Sequence, residues 1–357
     1  MNQNRLDPNL ASPSAEGANF VYYDAHHLTL ENFAWEGVNT TPYMRLPQDI
    51  LEFLPESLQW VQTFSAGGVV RFVTDSKSLG IRVKYKPLDM HRVSTPAAQG
   101  GFDITVRENG ACRLIANVCP EVRDFYAGKL EYELSCKLTG TIQEYRVYFP
   151  LYATLESVEI GFEKGAEVME APKHAVDKPI VFYGSSITQG GCASRPSNTY
   201  TALVSSWLDA HMINLGFGGN AKGEIEIARA IAELDMSLFV LDYDHNAPTA
   251  EHLLATHEPF FNAVREKNKD LPIIMISRPW ANIDYEKGTI RCRDIIKATY
   301  DNAVAKGDNN VYFIDGMDFY EGIQRDLPTV DLCHPTDLGF YIMAKKIHKT
   351  ITDNFSI

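Results

Sequence analysis

The sequence lacks a long apolar run. No stretch approaches the about 18 unbroken apolar residues of a membrane-spanning helix. The first residues, MNQNRLDPNLASPSAEG, contain neither a basic leader nor an apolar core. We therefore expect no membrane span and no signal peptide, and a cytoplasmic location.

Cysteine is scarce and scattered. The six cysteines form no C-x-x-C pair and are Cys112, Cys119, Cys136, Cys192, Cys292 and Cys333. This spacing argues against a disulfide framework and against a zinc knuckle, and it favours reduced thiols.

Positive charge is also in short supply. There are 33 Lys and Arg residues against 46 Asp and Glu residues, which gives a formal net charge of −13. Such a surface repels phosphate backbones and anionic lipids, so nucleic acid and membranes are unlikely partners, whereas neutral or cationic small substrates are compatible with it. A homo-oligomer stays open.

Metal and cofactor motifs are missing. The sequence has no H-E-x-x-H motif, and His252 and His257 are five residues apart, which places them on different faces of a helix. The glycine-rich stretch 215–220 does not match a dinucleotide fingerprint. We expect neither a metal nor an organic cofactor.

The hydrophobic pattern divides the chain of 357 residues into two domains. Residues 1–18 are predicted to be disordered. Residues 19–165 contain short alternating runs such as VVRFV and LGIRVKY between turn signals, which predicts an antiparallel β-sandwich or jelly roll. The charged stretch 166–178 is predicted to be a linker, and residues 179–357 form the second domain.

In the second domain, short apolar runs alternate with helical patterns. The predicted strands are Ile180–Tyr183, Met212–Leu215, Leu238–Tyr243, Ile273–Ile276 and Val311–Ile314. The helices are predicted at 223–234, 249–267, 285–306 and 337–352, with a further helix whose apolar face carries Tyr200, Leu203, Val204, Trp207 and Leu208. Five successive βα units predict an α/β/α domain with a five-stranded parallel sheet, and we favour a flavodoxin-like strand order.

Polar or glycine-rich residues follow every predicted strand. They are Ser186, then Gly216 to Asn220, then Asp244, His245 and Asn246, then Arg278 and Trp280, and finally Asp331 and His334. Ligands bind at the carboxyl ends of the strands in such sheets, so we expect these residues to share one edge.

Ser186 has two interpretations, an exposed nucleophile or the cap of the next helix. A nucleophilic serine needs a base, and His334 is the histidine best placed to serve, with Asp331 able to fix its tautomer. Alternatively, Asp331 caps a helix and His334 is a surface residue.

Other strand-end residues also have two interpretations. The glycine-rich turn can hold a phosphate, or its N–H groups can face an oxyanion together with the Asn246 amide, which can equally form a local turn. Cys333 is a rival nucleophile or, more simply, a packed thiol. Candidate substrate contacts are His245, Arg278, Trp280, Asn198 and Arg195, although Trp280 can equally cover the sheet end.

Taken together, four sequence blocks resemble the SGNH (GDSL-type) hydrolase superfamily. GSSIT at 184–188 resembles the first block, Gly219 before Asn220 the second, Asn246 the third, and Asp331-x-x-His334 the last. The resemblance covers about residues 180–340. Two positions differ: Ser185 stands where an aspartate is usual, and the third block is D-H-N-A instead of G-x-N-D.

This resemblance implies ester hydrolysis on an α/β/α fold without metal or organic cofactor. Ser186 would attack, His334 would act as base and then as acid, and Asp331 would orient His334. Gly219, Asn246 and the Ser186 N–H would form the oxyanion hole.

The N-terminal region resembles the β-sandwich of two-domain carbohydrate esterases, through Gly101-Phe102-Asp103 and the stretch YFPLYATLESVEIGF. Those enzymes remove O-acetyl groups from plant polysaccharides, acetylated mannans included. We therefore expect an acetylated oligosaccharide as substrate. The alternatives are a lipase or thioesterase of the same superfamily, or a carbohydrate-binding protein whose catalytic site has decayed.

Overall fold

The computed structural model describes residues 4–12, 19–88, 93–279 and 288–357. The chain forms two compact units. The first unit comprises Met1–Met44, Thr63–His174 and Ser194–Ser197. The second comprises Arg45–Gln62, Ala175–Ala193 and Asn198–Ile357.

Antiparallel strands build the first unit. They are β1 (Ala11–Ser12), β2 (Phe20–Asp24), β3 (Thr29–Glu31), β4 (Val69–Thr74), β5 (Ser78–Tyr85), β6 (Phe102–Glu108), β7 (Ala111–Val118), β8 (Glu131–Lys137), β9 (Gln143–Tyr148), β10 (Leu155–Glu163) and β11 (Val168–Met169). One sheet has the order β1-β2-β10-β5-β8 and the other β11-β4-β9-β6-β7, with β3 paired to β4. The predicted antiparallel domain is confirmed.

Aromatic rings form much of the core of this unit. Phe72 is fully buried and meets the ring of Phe162 edge to face, with 4.9 Å between the ring centroids. Phe149 packs in the same way against Phe102 at 5.5 Å. Each fully buried ring of this kind contributes about 1.5–3 kcal/mol through removal of apolar surface from water. The alternating β-branched and aromatic residues therefore account for both the strands and the core.

A parallel sheet forms the centre of the second unit. Its strands are β12 (Val176–Gly184), β13 (Ala210–Gly216), β14 (Leu238–Asp242), β15 (Ile273–Ile276) and β16 (Val311–Ile314). They pair in parallel in the order β13-β12-β14-β15-β16. This confirms the predicted flavodoxin-like order, in which the first strand of the domain lies between the second and the third.

Helices occur in both units, and in the second unit they also connect the strands of the parallel sheet. The α-helices of the described residues are α1 (Glu56–Val61), α2 (Pro96–Gln99), α3 (Val122–Tyr126), α4 (Ser186–Gln189), α5 (Tyr200–Leu208), α6 (Ile225–Ala232), α7 (Ala250–Lys267), α8 (Thr289–Ala305) and α9 (Asp337–Asn354). Threonine caps four of them: Thr95 caps α2, Thr199 caps α5, Thr249 caps α7 and Thr336 caps α9, each accepting a backbone N–H from the first turn.

The buried face of α5 differs from the prediction. Val204 is buried as expected, but Trp207 is 37% exposed and meets Tyr341 of α9 edge to face. Small residues of the helix, Thr201 and Ala202, are buried instead. Small side chains allow a helix to approach a sheet closely, which apolar periodicity alone does not reveal.

Three segments depart from the predicted domain boundaries. The described part of 1–18 is ordered, because Ala11 and Ser12 pair with β2 and the Leu6 N–H donates to the Val168 carbonyl at 3.0 Å. The predicted linker 166–178 contains β11 and the beginning of β12. Residues 45–62 fall within the predicted sandwich, yet they belong to the second unit, where the 3-10 helix Gln48–Phe53 contacts α6.

Candidate active site

Ser186 lies at the turn between β12 and α4. The cap of α4 is the preceding residue, Ser185, whose hydroxyl accepts the Ile187 N–H at 3.1 Å. Ser186 is the first helical residue, so its own N–H has no acceptor within the helix. Of the two interpretations of Ser186, the helix cap is therefore wrong: Ser185 is the cap of α4, and the Ser186 hydroxyl does not cap the helix. Serine and aspartate are both favourable caps, which accounts for Ser185 at a position where the family usually has aspartate.

The Ser186 hydroxyl contacts an imidazole. Ser186 Oγ lies 2.8 Å from His334 Nε2, and His334 Nδ1 lies 2.9 Å from Asp331 Oδ2. With the proton of the ring on Nδ1, donated to Asp331, Nε2 accepts the hydroxyl proton of Ser186. The loop before α9 therefore brings an imidazole and a carboxylate to the end of β12.

Asp331 is held as a carboxylate. Burial alone would raise its pKa, but hydrogen bonds from the backbone N–H and imidazole of His334, together with the Cys333 N–H, outweigh burial and lower the pKa below 3.8. Leu332, which lies between Asp331 and Cys333, has a left-handed backbone with φ of +67°, an unusual conformation for leucine. That turn allows one carboxylate to accept two successive N–H groups and the imidazole.

The glycine-rich loop after β13 lies against α4. The Gly218 N–H donates to Gln189 Oε1 at 2.8 Å, and Asn246 Nδ2 donates to the Phe217 carbonyl at 2.9 Å. Gly219 is left-handed, with φ of +70°, and within the described residues its N–H has no acceptor. The loop is fixed on both sides while the Gly219 N–H stays available.

Three N–H groups are predicted to face an oxyanion: the backbone groups of Ser186 and Gly219, and the side-chain amide of Asn246. Such preorganised donors stabilise charge that develops in a transition state. Together with the serine and imidazole, they are the elements that acyl transfer requires. Their participation in a reaction stays a proposal.

Gly216 sets the distance between β13 and α4. A Cβ built on it would lie 2.1 Å from the Gln189 nitrogen and 2.6 Å from the Gln189 Cα, both backbone atoms. We therefore expect Gly216→Ala to cost about 3 kcal/mol of unfolding free energy through overpacking. Chemical denaturation measures this, with Gly37→Ala as control because a Cβ there meets no atom within 4 Å. Equal stability of the two variants would contradict this packing.

Cys333 contacts a second histidine, His245. Cys333 Sγ lies 3.7 Å from His245 Nδ1. Burial, and then the charge of Arg278, lower the pKa of His245 to about 3. So weak a base does not take the proton of a thiol whose ordinary pKa is about 8.5. The geometry therefore favours Ser186 over Cys333 as the nucleophile, and it places His245 beside the Asp331–His334 loop.

The other predicted substrate contacts have protein partners. The Arg278 guanidinium forms an ion pair with the buried Asp244 at 3.0 Å and donates to the Asp244 carbonyl at 2.6 Å. Asn198 Nδ2 donates to Asp337 Oδ2 at 2.8 Å. In the first unit, Arg195 is paired with the buried Asp103 at 3.0 Å. These bonds give the side chains structural roles, and their contact with a substrate stays a prediction. Trp280 lies outside the described residues.

Sequence reasoning missed a buried carboxyl below α4. Asp242, at the end of β14, accepts hydrogen bonds from Thr188 Oγ1 at 3.3 Å and Tyr200 Oη at 3.1 Å. Burial, and then the charge of Asp244, raise the pKa of Asp242 well above its ordinary value. Its hydrogen bonds connect the end of β14 to α4 and α5. An acidic residue at the end of a buried strand was the available signal.

His257 makes stability depend on pH. It is 1% exposed, its Nδ1 lies 2.9 Å from Thr299 Oγ1, and burial lowers its pKa from 6.5 to about 4. Because the unfolded chain binds this proton first, stability falls as the pH decreases from 6.5 towards 4, by about 1.4 kcal/mol per pH unit.

We expect His257→Gln to remove this part of the pH dependence. Denaturant unfolding across that range should give a shallower slope for the variant than for the unchanged chain. Identical slopes would show that His257 is protonated equally in both states.

Within the described parts of the chain, no three His, Cys, Asp or Glu side chains are grouped as ligands for a metal ion. Each helix there is too short or too polar to cross a membrane.

The fold and the serine–histidine–aspartate arrangement define a class, the SGNH-type hydrolases, and two family models support it. Residues 177–352 match the GDSL-like lipase/acylhydrolase family, and residues 20–168 match the N-terminus of SGNH-hydrolase-type esterases. The chain thus belongs to the SGNH (GDSL-type) hydrolases, as its sequence blocks indicate.

Solved structures share the fold over nearly the whole chain. A protein from Bacteroides ovatus described as a GDSL-like lipase is 28% identical, with a TM-score of 0.84, and the match covers 94% of this chain and 98% of that one. A salicylyl-acyltransferase of a tetracycline biosynthetic pathway is 18% identical with a TM-score of 0.76, at the same coverage. An acetyl xylan esterase from the rumen bacterium Butyrivibrio proteoclasticus is 15% identical with a TM-score of 0.55, again covering 94% and 98%. No curated protein matches the sequence.

Proposed function

We propose that the chain is a serine esterase that removes O-acetyl groups from plant-type oligosaccharides, with acetylated manno-oligosaccharides among the candidate substrates. The observation that carries this proposal is the 2.8 Å contact of Ser186 Oγ with His334 Nε2, completed by Asp331. Membership of a hydrolase family supports it further. The fold shared with an acetyl xylan esterase is compatible with a carbohydrate ester.

In the first half of the reaction, Ser186 Oγ bonds to the carbonyl carbon of the ester while its proton passes to His334 Nε2. The carbonyl oxygen becomes an oxyanion and accepts the N–H groups of Ser186, Gly219 and Asn246. Asp331 stabilises the resulting imidazolium through Nδ1. The intermediate then collapses: the bond to the sugar oxygen breaks, that oxygen takes the proton from His334, and an acetyl group stays on Ser186.

In the second half, a water molecule attacks the acetyl carbon and gives a proton to His334. The bond to Ser186 Oγ breaks, the serine regains its proton from the imidazole, and acetate leaves. Each step uses side chains of this protein, and the proposed sequence calls for no cofactor.

The test is mass spectrometry of acetylated mannan, xylan and pectin oligosaccharides before and after incubation with the protein. We expect the loss of acetyl groups from at least one of them and the release of acetate. If every acetyl group stayed on all three oligosaccharides while the protein hydrolysed a simple aryl acetate, the carbohydrate substrate would be rejected. The proposed esterase activity would still stand.

A second candidate is an esterase or thioesterase for larger apolar acyl groups. Val330 and Leu332 flank Asp331 and are 48% and 49% exposed, so apolar side chains border the reacting groups. Aryl esters of acetate and octanoate distinguish the two candidates: a higher kcat/KM for octanoate would favour the second and contradict the first.

The third alternative, a carbohydrate-binding protein with a decayed site, predicts an unreactive serine. The 2.8 Å hydrogen bond from Ser186 to His334 argues against it, because that contact is the feature that makes a serine nucleophilic. A fluorophosphonate reagent should label Ser186 in the intact protein. An unlabelled serine would support the decayed site.

A further inference from the structure

Arg45 is a fully buried arginine that belongs to the second unit although its sequence position lies within the predicted sandwich. Its backbone N–H donates to the Gln62 carbonyl at 3.2 Å, which closes the segment that contains α1. Burying a guanidinium is costly unless its donors are satisfied. The carbonyls that accept its hydrogen bonds lie in β13 and at the end of α1.

The guanidinium of Arg45 holds the end of β13. Nη1 donates to the carbonyls of Gly216 at 2.6 Å and Asn214 at 3.3 Å, and Nη2 donates to the Val61 carbonyl at 2.8 Å. Its Cζ also lies 4.7 Å from the ring centroid of Phe217. One planar cation thus fixes the last peptides of the strand and the first side chain of the loop.

These contacts lead directly to the proposed oxyanion donors. Phe217 follows the carbonyl that Arg45 holds, and its own carbonyl accepts Asn246 Nδ2. Two residues later comes Gly219, whose N–H is available. A shift of the Gly216 peptide would therefore displace both Gly219 and Asn246, and losses of catalysis follow from small misplacements of such groups.

We propose that Arg45 is a positioning residue that sets the geometry of the oxyanion hole, an inference that rests on the proposed esterase function. Its fork geometry is essential, because an ammonium group cannot donate in one plane to carbonyls on two chain segments while stacking on a ring. Its positive charge, buried behind the loop, also favours the negative charge that develops on the substrate oxygen.

The test compares Arg45→Lys and Arg45→Met with changes at a matched arginine of the same unit. Arg265 donates to the carbonyls of Asn268 and Leu271 at 2.8 and 2.6 Å and lies 5.7 Å from the Phe261 ring. These partners precede β15, at the amino ends of the strands, opposite the site. Arg265→Lys thus removes a similar fork without touching the glycine-rich loop.

We expect Arg45→Lys to lower kcat for an aryl acetate about 10- to 100-fold with little change in KM, since removing one oxyanion donor outright costs about 10²- to 10³-fold. Affinity for a boronic acid, which forms a tetrahedral adduct on serine, should fall in parallel. Arg265→Lys should retain both at comparable thermal stability. Unchanged kcat and boronate affinity in Arg45→Lys would overturn the proposal.

A second variant covers the case in which neither Arg45 variant folds. Phe217→Leu keeps the arginine and removes the ring against which it packs, and we expect kcat to fall severalfold with KM retained. An unchanged kcat in Phe217→Leu would contradict the positioning role. Failure of the proposed function is separate: the unchanged protein would then hydrolyse no ester at all.

Discussion

Replacing Ser186 with alanine is expected to lower kcat for ester hydrolysis by about 10⁶-fold, the cost of removing a nucleophile from a serine triad in other hydrolases. The reason is geometric. Ser186 Oγ is the hydroxyl that meets His334 Nε2, and the helix cap is supplied by Ser185, so the change removes the nucleophile and leaves α4 capped. Steady-state rates with an aryl acetate measure the loss.

The matched control is Ser237→Ala. The Ser237 hydroxyl donates to the carbonyl of Lys178 at 3.0 Å. Lys178 lies near the beginning of β12, whereas Ser186 follows the end of that strand. We expect this variant to retain full activity. If Ser186→Ala kept more than a tenth of the rate, another nucleophile would have to be assigned, and the next candidate is Cys333, which adjoins His334 in the chain.

The second large effect is expected for Asp331→Asn, at about 10⁴-fold in kcat. The asparagine oxygen can still accept the N–H groups of Cys333 and His334, but its amide nitrogen would face Nδ1 and donate to it. That arrangement forces the ring proton onto Nε2, which can then no longer accept the proton of Ser186. The variant should fold normally and fail in catalysis.

Asp326→Asn is the control, because Asp326 lies in the same loop and meets Gln324 at 3.3 Å, away from the imidazole. Its kcat should match that of the unchanged protein. A rate for Asp331→Asn within tenfold of the control would mean that a different group orients His334. The circular dichroism of both variants shows whether folding contributes to the difference.

The strands and the strand order of the second unit were predictable because periodicity is a local property. A run such as Ile273–Ile276 is apolar throughout since both faces of a parallel strand are covered, and handedness rules then leave few topologies. The pairing of Ala11 with Tyr23 and of Val168 with Thr74 was not predictable, since edge pairing joins distant segments that have no periodic signal of their own.

The site was predictable as far as its residues follow strands. Ser186, Asn246, Asp331 and His334 each come after an apolar run, and the sheet brings them to one edge. Which of Ser185 and Ser186 caps α4 could not be predicted from the sequence, since either serine can cap a helix and only the backbone geometry distinguishes them. The role of Arg45 could not be predicted from the sequence. Arg45 lies 171 residues before Gly216, whose carbonyl it binds, and no sequence motif links the two positions.

The most direct test of the central claim is peptide mass spectrometry of the protein after a rapid acid quench during turnover of an acetylated oligosaccharide. We expect one acetyl group on the peptide that contains Ser186, with none in Ser186→Ala. Release of acetate with the acetyl group on the peptide that contains Cys333 would contradict the account. So would release of acetate without any acetyl group at Ser186, if the same quench traps an acetylated Ser186 when the substrate is an aryl acetate.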